Sequence, residues 1–326
     1  ELLLVMLPKT IIDHPIFIFL FIAFISLSVQ FYGIKKMSPY FFLSILIYFS
    51  HNFILKELAQ VRSGVAASFV LLSIYFLAKN KNYKFYFFAI FSSFFHLTGL
   101  IAFIGYLFDI IIKRFNDPRN FYYLILLVTM VTGFFNLSDL IFSFIAENRF
   151  APQRFFVYFS DCPETWNDAY GYIGCGRQTI NSEGVGIFSN PTTVKYLLIS
   201  LFSIVFYKKL INSSTYFRPI FNFYFMGTCW IIFFNDFGIL ASRVASILTV
   251  GEVILIPILA SIIKPTILAK IAIIIIFIPI FYINVNRLFE YSKIHELPFN
   301  AFYTGEYCPD YGENDHRLIN KKIMNN

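Results

Sequence analysis

Three residues with chemically useful side chains lie in or beside long apolar stretches of the sequence: Arg62, His96 and Arg243. An ionisable side chain at bilayer depth costs at least about 2.5 kcal/mol on insertion scales, so it indicates a partner or a function. A guanidinium group is permanently charged and binds phosphate oxygens in a bidentate manner. An imidazole can take a proton from a sugar hydroxyl near neutral pH. These residue types therefore suit phosphate binding and proton transfer.

Each of the three residues also has a simpler structural interpretation. Arg62 could extend to the lipid headgroups or pair with Glu57. Arg243 lies seven residues after Asp236, and a helix that begins at Asp236 would place both on one side, where they could form an ion pair. A lone histidine in an apolar stretch is more often a hydrogen-bonded packing residue. The residues alone leave both interpretations open.

Further polar residues near these three are candidates for substrate binding. Gln60 precedes Arg62 by two residues, and Asp236 could line the same cavity as Arg243. The long polar loop 146–191 is rich in aromatic residues, which suit a sugar ligand but also belt ordinary membrane interfaces. Its arginine candidates are Arg149, Arg154 and Arg177. The sequence has no Walker loop, dinucleotide fingerprint or metal-ligand pattern, so we expect no cofactor and no metal.

The composition indicates an all-α, polytopic integral membrane helical bundle. Hydrophobic residues make up 58% of the 326 residues and charged residues 14%, against about 25% charged in soluble proteins. Apolar runs of about 17 residues or more recur along the chain, each long enough to cross a bilayer as a helix. The net charge of +7 comes from short basic groups between these runs, as membrane orientation requires. We therefore exclude a nucleic-acid partner.

The pattern predicts one transmembrane domain, 1–326, with about ten membrane segments. Basic loops face the cytoplasm, and the long loop 146–191 and the polar tail 284–326 are extracytoplasmic. Glu252 is predicted to pair with another helix, Asp109 with the basic residues after it, and Cys229 to be buried. The predicted segments are about 16–34, 39–55, 63–78, 85–112 as two pieces, 121–145, 192–207, 219–234, 239–262 and 266–283.

The apolar run 85–112 is too long for one membrane span and too short for two. As one helix it would place Lys113 and Arg114 on the side opposite to Lys81 and Lys84. Two short segments that meet near His96 would place all these basic residues on one side, as charge asymmetry favours. Broken helices at membrane depth are tolerated where they line protein or water. We therefore predict a break that places His96 at the tip of a cavity.

The polar regions hold three of the four cysteines. A disulfide between Cys162 and Cys175 is one option if the loop faces an oxidising compartment, with Cys308 as a competing partner. The chain begins with Glu1 rather than methionine, so we expect it to begin after its translation start.

Two stretches of this sequence resemble the EpsG family of Wzy-like polysaccharide polymerases. Leu58–Phe103, LAQVRSGVAASFVLLSIYFLAKNKNYKFYFFAIFSSFFHLTGLIAF, is similar to the central signature of that family. That signature has a Q-x-R start to a small-residue helix, a Lys-rich turn, and an apolar run closing on F-H and a small residue. Ser242–Leu259, SRVASILTVGEVILIPIL, is similar to the second arginine-bearing helix. The opening ELLLVMLPKTII resembles the segment after the first helix and acidic outer loop of the family, both of which are absent here.

The resemblance implies a metal-independent glycosyltransferase in the bacterial inner membrane, with its active site facing the periplasm or exterior. Such an enzyme joins oligosaccharide repeat units carried on undecaprenyl diphosphate into O-antigen, capsule or exopolysaccharide. Arg62, His96 and Arg243 are its implied catalytic residues. The implied partners are the lipid-linked glycan, membrane lipid, a chain-length regulator and a flippase. Arginines at the outer membrane boundary would stabilise the departing diphosphate, and His96 or an acid of the long loop would take the acceptor proton.

Three other functions remain open from the sequence. Intramembrane charges also suit a lipid-linked glycan flippase or another transporter, although the sequence shows no inverted repeat. An O-antigen ligase, which moves finished glycan to another acceptor, performs the same class of chemistry. A structural subunit of an export complex would tolerate loss of both Arg62 and Arg243.

Overall fold

The computed structural model describes residues 15–50, 52–53, 61–138, 141, 191–235 and 238–294. Every regular element in these ranges is helical, which confirms the predicted all-α class for them. The chain divides into two compact units, Glu1–Phe281 and Tyr282–Asn326. In the second unit, the part that is described is the end of a single helix.

Twelve α-helices and two short 3₁₀ helices follow one another in the described ranges. The α-helices are α1 (Pro15–Met37), α2 (Phe41–Ile47), α3 (Val61–Ala78), α4 (Asn82–Phe95), α5 (Ala102–Ile112), α6 (Arg119–Phe134), α7 (Pro191–Val205), α8 (Tyr207–Ser213), α9 (Phe217–Phe233), α10 (Gly238–Leu248), α11 (Glu252–Ile262) and α12 (Thr266–Ile294). The 3₁₀ helices are Leu97–Ile101, between α4 and α5, and Thr249–Gly251, between α10 and α11.

Among the described residues, three helical stretches are long and apolar enough to cross a membrane: Leu20–Met37, Leu240–Ile262 and Thr266–Asn286. Helix α12 leaves large apolar side chains exposed, among them Ile267 at 65% and Ile275 at 64%. An apolar surface of this kind suits lipid better than water. These helices agree with a membrane protein, while the predicted number of about ten segments stays a prediction.

Aromatic contacts show that helices α3 and α4 run antiparallel. Phe69 stacks on Phe95 with ring centroids 5.3 Å apart, and Phe76 stacks on Phe88 at 5.2 Å. Phe69, in the first half of α3, therefore meets Phe95 at the end of α4, and Phe76, near the end of α3, meets Phe88 in the middle of α4. The start of α3 and the end of α4 consequently lie at the same end of the helix pair.

The run 85–112 is broken, as predicted, and its second half folds back on the first. Helix α4 ends at Phe95, and His96 is in an extended conformation with φ −152° and ψ 129°. The Phe85 and Tyr106 rings are 4.8 Å apart, and Tyr86 Oη donates a hydrogen bond to Tyr106 Oη at 2.8 Å. One straight helix would separate residues 86 and 106 by about 30 Å. The contacts therefore require a chain reversal at the break.

The basic groups that follow different helices lie together at the end of the bundle opposite to His96. At the end of α3, the Lys79 ammonium lies 5.2 Å from the ring centroid of Tyr216, the residue before α9. Lys208 of α8 contacts Asp117, in the turn before α6, at 3.2 Å. These contacts join helix α8 and three connecting segments at one end of the bundle, which we name the basic end. They agree with the predicted grouping of positive charge.

A buried polar network near the basic end confirms the predicted pairing of Asp109. Its side chain is 0% exposed and forms an ion pair with Lys113 at 2.8 Å. Asn222 donates from Nδ2 to Asp109 Oδ1 at 2.6 Å, and Tyr122 donates to Asn222 Oδ1. Arg218 Nε lies 3.6 Å from the same carboxylate. Three helices are therefore tied together around one buried charge.

Two predicted segments agree with apolar helical stretches long enough to cross a membrane: 239–262 with Leu240–Ile262, and 266–283 with Thr266–Asn286. Within the first, a 3₁₀ turn at Thr249–Gly251 separates α10 from α11, and a Cβ on Gly251 would lie 2.7 Å from Ile220 Cγ2. Helix α12 continues to Ile294, beyond the start of the predicted tail at 284, because no glycine or proline interrupts residues 284–294. Helix α2 ends at Ile47, within the predicted segment 39–55, and the chain after it departs from α-helical geometry.

Candidate functional site

The structure brings together the three elements that carry the predicted catalytic residues or directly follow one of them. The helix α3, the 3₁₀ helix Leu97–Ile101 and the helix α10 all pack against one another. Arg62 is the second residue of α3, His96 immediately precedes the 3₁₀ helix, and Arg243 lies in the middle of α10. Arg62 is exposed, whereas His96 and Arg243 are half-buried.

Arg62 and His96 lie at the same end of the bundle, away from the basic end. Phe95, the neighbour of His96, stacks on Phe69 of α3 at 5.3 Å. Arg62 precedes Phe69 by seven residues, which places it about 10 Å further along the helix axis. Lys79 closes the opposite end of the same helix. The two candidates therefore share the end of the helix pair at which the broken run reverses.

The side chain of His96 caps the short helix that follows it. Its Nδ1 accepts a hydrogen bond from the Thr98 backbone N–H at 3.3 Å. The Thr98 hydroxyl oxygen lies 2.5 Å from the same nitrogen. The backbone N–H and the hydroxyl of Thr98 therefore both contact the Nδ1 edge of the imidazole ring. This arrangement agrees with the packing interpretation of His96 and also fixes the orientation of the ring.

Gly99 allows the turn after His96 to fold tightly against α4. A Cβ at Gly99 would meet the Ser92 Oγ and would lie 2.9 Å from the Ser92 carbonyl carbon and 3.0 Å from the Ser93 nitrogen. Ser92 is fully buried, and its hydroxyl donates to the Ala89 carbonyl at 2.7 Å. Only a glycine leaves room for this approach of one backbone to another.

Small residues bring the helix of Arg243 close to its neighbour α9. Ala241 and Ala245 are buried, and a Cβ on Gly227 of α9 would lie 3.3 Å from the Ala245 carbonyl oxygen. Ser246 donates to the Arg243 carbonyl oxygen at 2.8 Å. Small residues permit close helix approach in membrane proteins. Arg243 therefore projects from a tightly packed helix rather than from a loose surface segment.

The five predicted substrate-binding residues lie outside the described residues. They are Gln60, Arg149, Arg154, Arg177 and Asp236, and their assignment stays a prediction. The same holds for Cys162, Cys175 and Cys308, whereas Cys229 is buried and free, as expected for a packing residue. In the ranges that are described, no three histidine, cysteine, aspartate or glutamate side chains form a metal-binding group.

An ion pair inside the bundle joins Glu252 to Lys195. Glu252 is 2% exposed, and its Oε1 lies 2.8 Å from the Lys195 ammonium. The ammonium also lies 4.9 Å from the ring centroid of Tyr196. The pairing of Glu252 with another helix was predicted, but its partner was missed. The single lysine in the apolar run after Pro191 could have indicated this partner, because a buried ammonium group also needs an opposite charge.

Two surface grooves lie away from the candidate residues. One, of about 360 Å³, is lined by Tyr40, Phe42 and Lys270 among others. The second, of about 460 Å³, is lined mainly by Phe76, Tyr83 and other aromatic side chains. Neither groove includes Arg62, His96 or Arg243.

Comparisons with known proteins agree with the resemblance in the sequence. The profile of the EpsG family matches residues 2–300. A stretch of 83 residues is 34% identical to the amylovoran biosynthesis protein AmsC of Erwinia amylovora. That stretch covers 26% of this chain and 22% of AmsC, so the chain matches about a fifth of the length of this curated relative. No solved structure matches.

Proposed function

Because this chain belongs to the EpsG family, we propose that it acts in exopolysaccharide biosynthesis as a membrane glycosyltransferase. The proposed reaction joins oligosaccharide repeat units carried on undecaprenyl diphosphate into a longer chain. The family match and the similarity to an amylovoran biosynthesis protein support the biosynthetic role. The observation that carries the chemistry is the mutual packing of α3, the Leu97–Ile101 turn and α10, because these elements hold Arg62, His96 and Arg243.

The proposed reaction needs electrostatic stabilisation of a departing diphosphate. A hydroxyl oxygen of the acceptor unit attacks the anomeric carbon of the donor, and the bond from that carbon to the diphosphate oxygen breaks. The electron pair stays on the diphosphate, and the acceptor proton is released to a base or to solvent. Arg62 and Arg243 bind the diphosphate, where the charge increases most in the transition state. Guanidinium groups suit this role because they stay charged and bind two oxygens at once.

The structure is compatible with different positions for the two arginines along the reacting lipid. Arg62 is exposed in the first turn of α3, whereas Arg243 is half-buried in α10. The lipid chain must stay in the bilayer while the sugars stay in water. We propose that Arg243 contacts the diphosphate near the lipid side and that Arg62 contacts it near the water side.

The distribution of basic residues supports a location for the proposed reaction. Polymerisation takes place at the periplasmic or outer face of the bacterial inner membrane, with the basic end of the bundle in the cytoplasm. The long loop 146–191, with Arg149, Arg154 and Arg177, recognises the sugars, and Gln60 and Asp236 flank the arginines. A flippase supplies the lipid-linked units, and a chain-length regulator limits the product. No metal or cofactor takes part in this proposal.

Alanine replacement of the two arginines tests the proposed function. We expect Arg62→Ala and Arg243→Ala each to abolish the long-chain ladder of surface polysaccharide on a gel, while single repeat units remain. Arg119→Ala is the matched control, because Arg119 lies at the basic end and pairs with Asp117 at 2.8 Å. Membrane fractions analysed by immunoblot establish that each variant is inserted.

Two outcomes of this experiment would contradict the proposal. Normal ladders from both inserted arginine variants would show that neither guanidinium takes part. Loss of single repeat units together with the ladder would favour a flippase, because a flippase acts before polymerisation.

A further inference from the structure

We propose that Thr98 fixes His96 as a hydrogen-bond donor to the departing diphosphate, and not as the base that takes the acceptor proton. This inference rests on the proposed function and assigns roles to two residues of the same site. Thr98 acts through His96 and is a positioning residue. The backbone N–H and the hydroxyl of Thr98 both contact one edge of the imidazole ring, at Nδ1.

The Thr98 backbone N–H restricts the protonation state of His96 Nδ1, the nitrogen that it faces. A backbone N–H can only donate, so the Thr98 amide requires an unprotonated Nδ1 on His96. The Thr98 hydroxyl, 2.5 Å from the same nitrogen, can donate to it as well. A neutral imidazole carries one proton, and it must then reside on Nε2. The contacts therefore select the tautomer in which Nε2 donates.

The orientation of the His96 ring is fixed by the turn that follows it. His96 caps the 3₁₀ helix Leu97–Ile101 through the same Nδ1 contact, so rotation of the ring would remove the cap. Gly99 closes the turn against the buried backbone of Ser92. The ring is consequently held by the backbone break itself rather than by a mobile side chain.

In the proposed reaction, a His96 ring with a proton on Nε2 can donate a hydrogen bond but cannot act as the base. An Nε2–H group cannot accept the proton of a sugar hydroxyl, because that nitrogen has no free electron pair. It can donate a hydrogen bond to the diphosphate oxygen that gains an electron pair as the glycosidic bond breaks. A neutral histidine that acts as a donor at a developing negative charge has precedent in enzyme chemistry. His96 would thereby act in concert with the two arginines.

Replacement of His96 distinguishes a donor from a base. His96→Gln retains an N–H donor near the position of Nε2, whereas His96→Ala has neither donor nor base. With purified protein in nanodiscs and a lipid-diphosphate-linked repeat unit, we expect kcat to fall about 100-fold or more for alanine, as for loss of one oxyanion donor. We expect glutamine to retain at least about tenfold more activity than alanine. Glutamine as inactive as alanine would overturn the donor role.

Replacement of Thr98 tests the positioning role. Thr98→Val keeps the shape of the side chain but removes the hydroxyl, and we expect kcat to fall about tenfold, as for one lost hydrogen bond. The KM for the lipid-linked donor should stay within about twofold, and Thr98→Ser should restore kcat. Unchanged kcat in Thr98→Val, or no rescue by serine, would overturn the positioning role.

The tautomer can be observed directly by ¹⁵N NMR of histidine-labelled protein. The chain has five histidines, and the spectrum of His96→Gln identifies the His96 signals. At about pH 8, well above the ordinary histidine pKa of about 6.5, we expect a protonated Nε2 and an unprotonated Nδ1. A protonated Nδ1 would overturn the inference. It would leave the proposed function intact, because the activity of the Arg62 and Arg243 variants tests that function separately.

Discussion

The sharp break at His96 depends on Gly99, and Gly99→Ala tests that dependence. The added Cβ would lie 2.9 Å from the Ser92 carbonyl carbon, closer than real Cβ atoms approach other heavy atoms, and 3.0 Å from the Ser93 nitrogen, which is tighter than most real Cβ contacts. These atoms belong to the backbone of α4 and cannot rotate away. The turn must therefore shift, and it carries His96 with it.

The expected cost follows from the geometry. Overpacking of a methyl group against fixed neighbours destabilises a protein by about 1–3 kcal/mol. Gly33→Ala is the matched control, because its Cβ would meet Leu71 Cδ2 at 3.2 Å, the end of a side chain that needs to shift by only a few tenths of an ångström. Alanine also has the higher helix propensity, by about 1 kcal/mol, so Gly33→Ala should be neutral or slightly stabilising.

The assay is thermal unfolding in detergent followed by scanning fluorimetry, with the polysaccharide ladder measured in parallel. We expect Gly99→Ala to lower Tm by several degrees and to shorten or abolish the ladder, while Gly33→Ala does neither. The double variant Ser92→Ala/Gly99→Ala should recover only part of the loss, because the backbone contacts remain. Full stability and a full ladder in Gly99→Ala would refute the argument that this close approach holds the break.

The remaining predictions concern the ion pairs and the topology. Lys195→Met leaves Glu252 buried without its cation, so we expect the free energy of unfolding, measured by denaturant titration, to fall by about 3–5 kcal/mol. The double variant Lys195→Met/Glu252→Gln should recover most of this loss. If the two substitutions destabilise the protein additively, the pairing is contradicted. The Arg119 guanidinium lowers the pKa of Asp117 below its ordinary value, so this carboxylate stabilises the fold above about pH 4 and the contribution is lost as the pH falls towards the lowered pKa. Asp117→Asn should therefore reduce the difference in Tm between neutral and acid pH, and an unchanged difference would contradict this. Tags inserted after Lys81 and after Asp117 should report the same side of the membrane, whereas opposite sides would contradict the chain reversal at His96.

The break at His96 could be predicted from sequence because two independent signals agreed on it. The run 85–112 has the wrong length for one span or two, and the basic residues at both of its ends needed to share one side. The length of an apolar run and the positions of charged residues can be read directly from the sequence. The close contact of Gly99 with Ser92 depends on the folded structure, so the sequence alone does not predict it.

Other features needed tertiary information that a single sequence does not contain. Glu252 could be predicted to need a partner because a buried carboxylate is costly alone. Its partner Lys195 is 57 residues away on a helix whose neighbours the sequence does not define. The 3₁₀ turn at Thr249–Gly251 was not predicted, because the stretch around it is apolar enough to cross a membrane as one segment. The predicted segment 266–283 covers only the apolar part of α12, because polarity marks the end of a span and does not mark the end of a helix.

The assignment of Arg62, His96 and Arg243 as catalytic residues stays a prediction, and only their placement can be compared with the structure. Arg62, His96 and Arg243 are separated by long stretches of sequence, and the structure shows that the elements carrying them pack together. The role of Thr98 could not be derived from spacing, because it depends on the extended conformation of His96 that the break creates.

The central claim is that the guanidinium groups of Arg62 and Arg243 stabilise a departing lipid diphosphate during chain growth. The most direct test uses purified protein in nanodiscs with a lipid-diphosphate-linked repeat unit, and measures both product length and released lipid diphosphate. We predict a ladder of products with one diphosphate released per bond formed, and a loss of about 100-fold or more in rate for Arg62→Ala and for Arg243→Ala. Chain growth at the normal rate in both arginine variants would contradict the account.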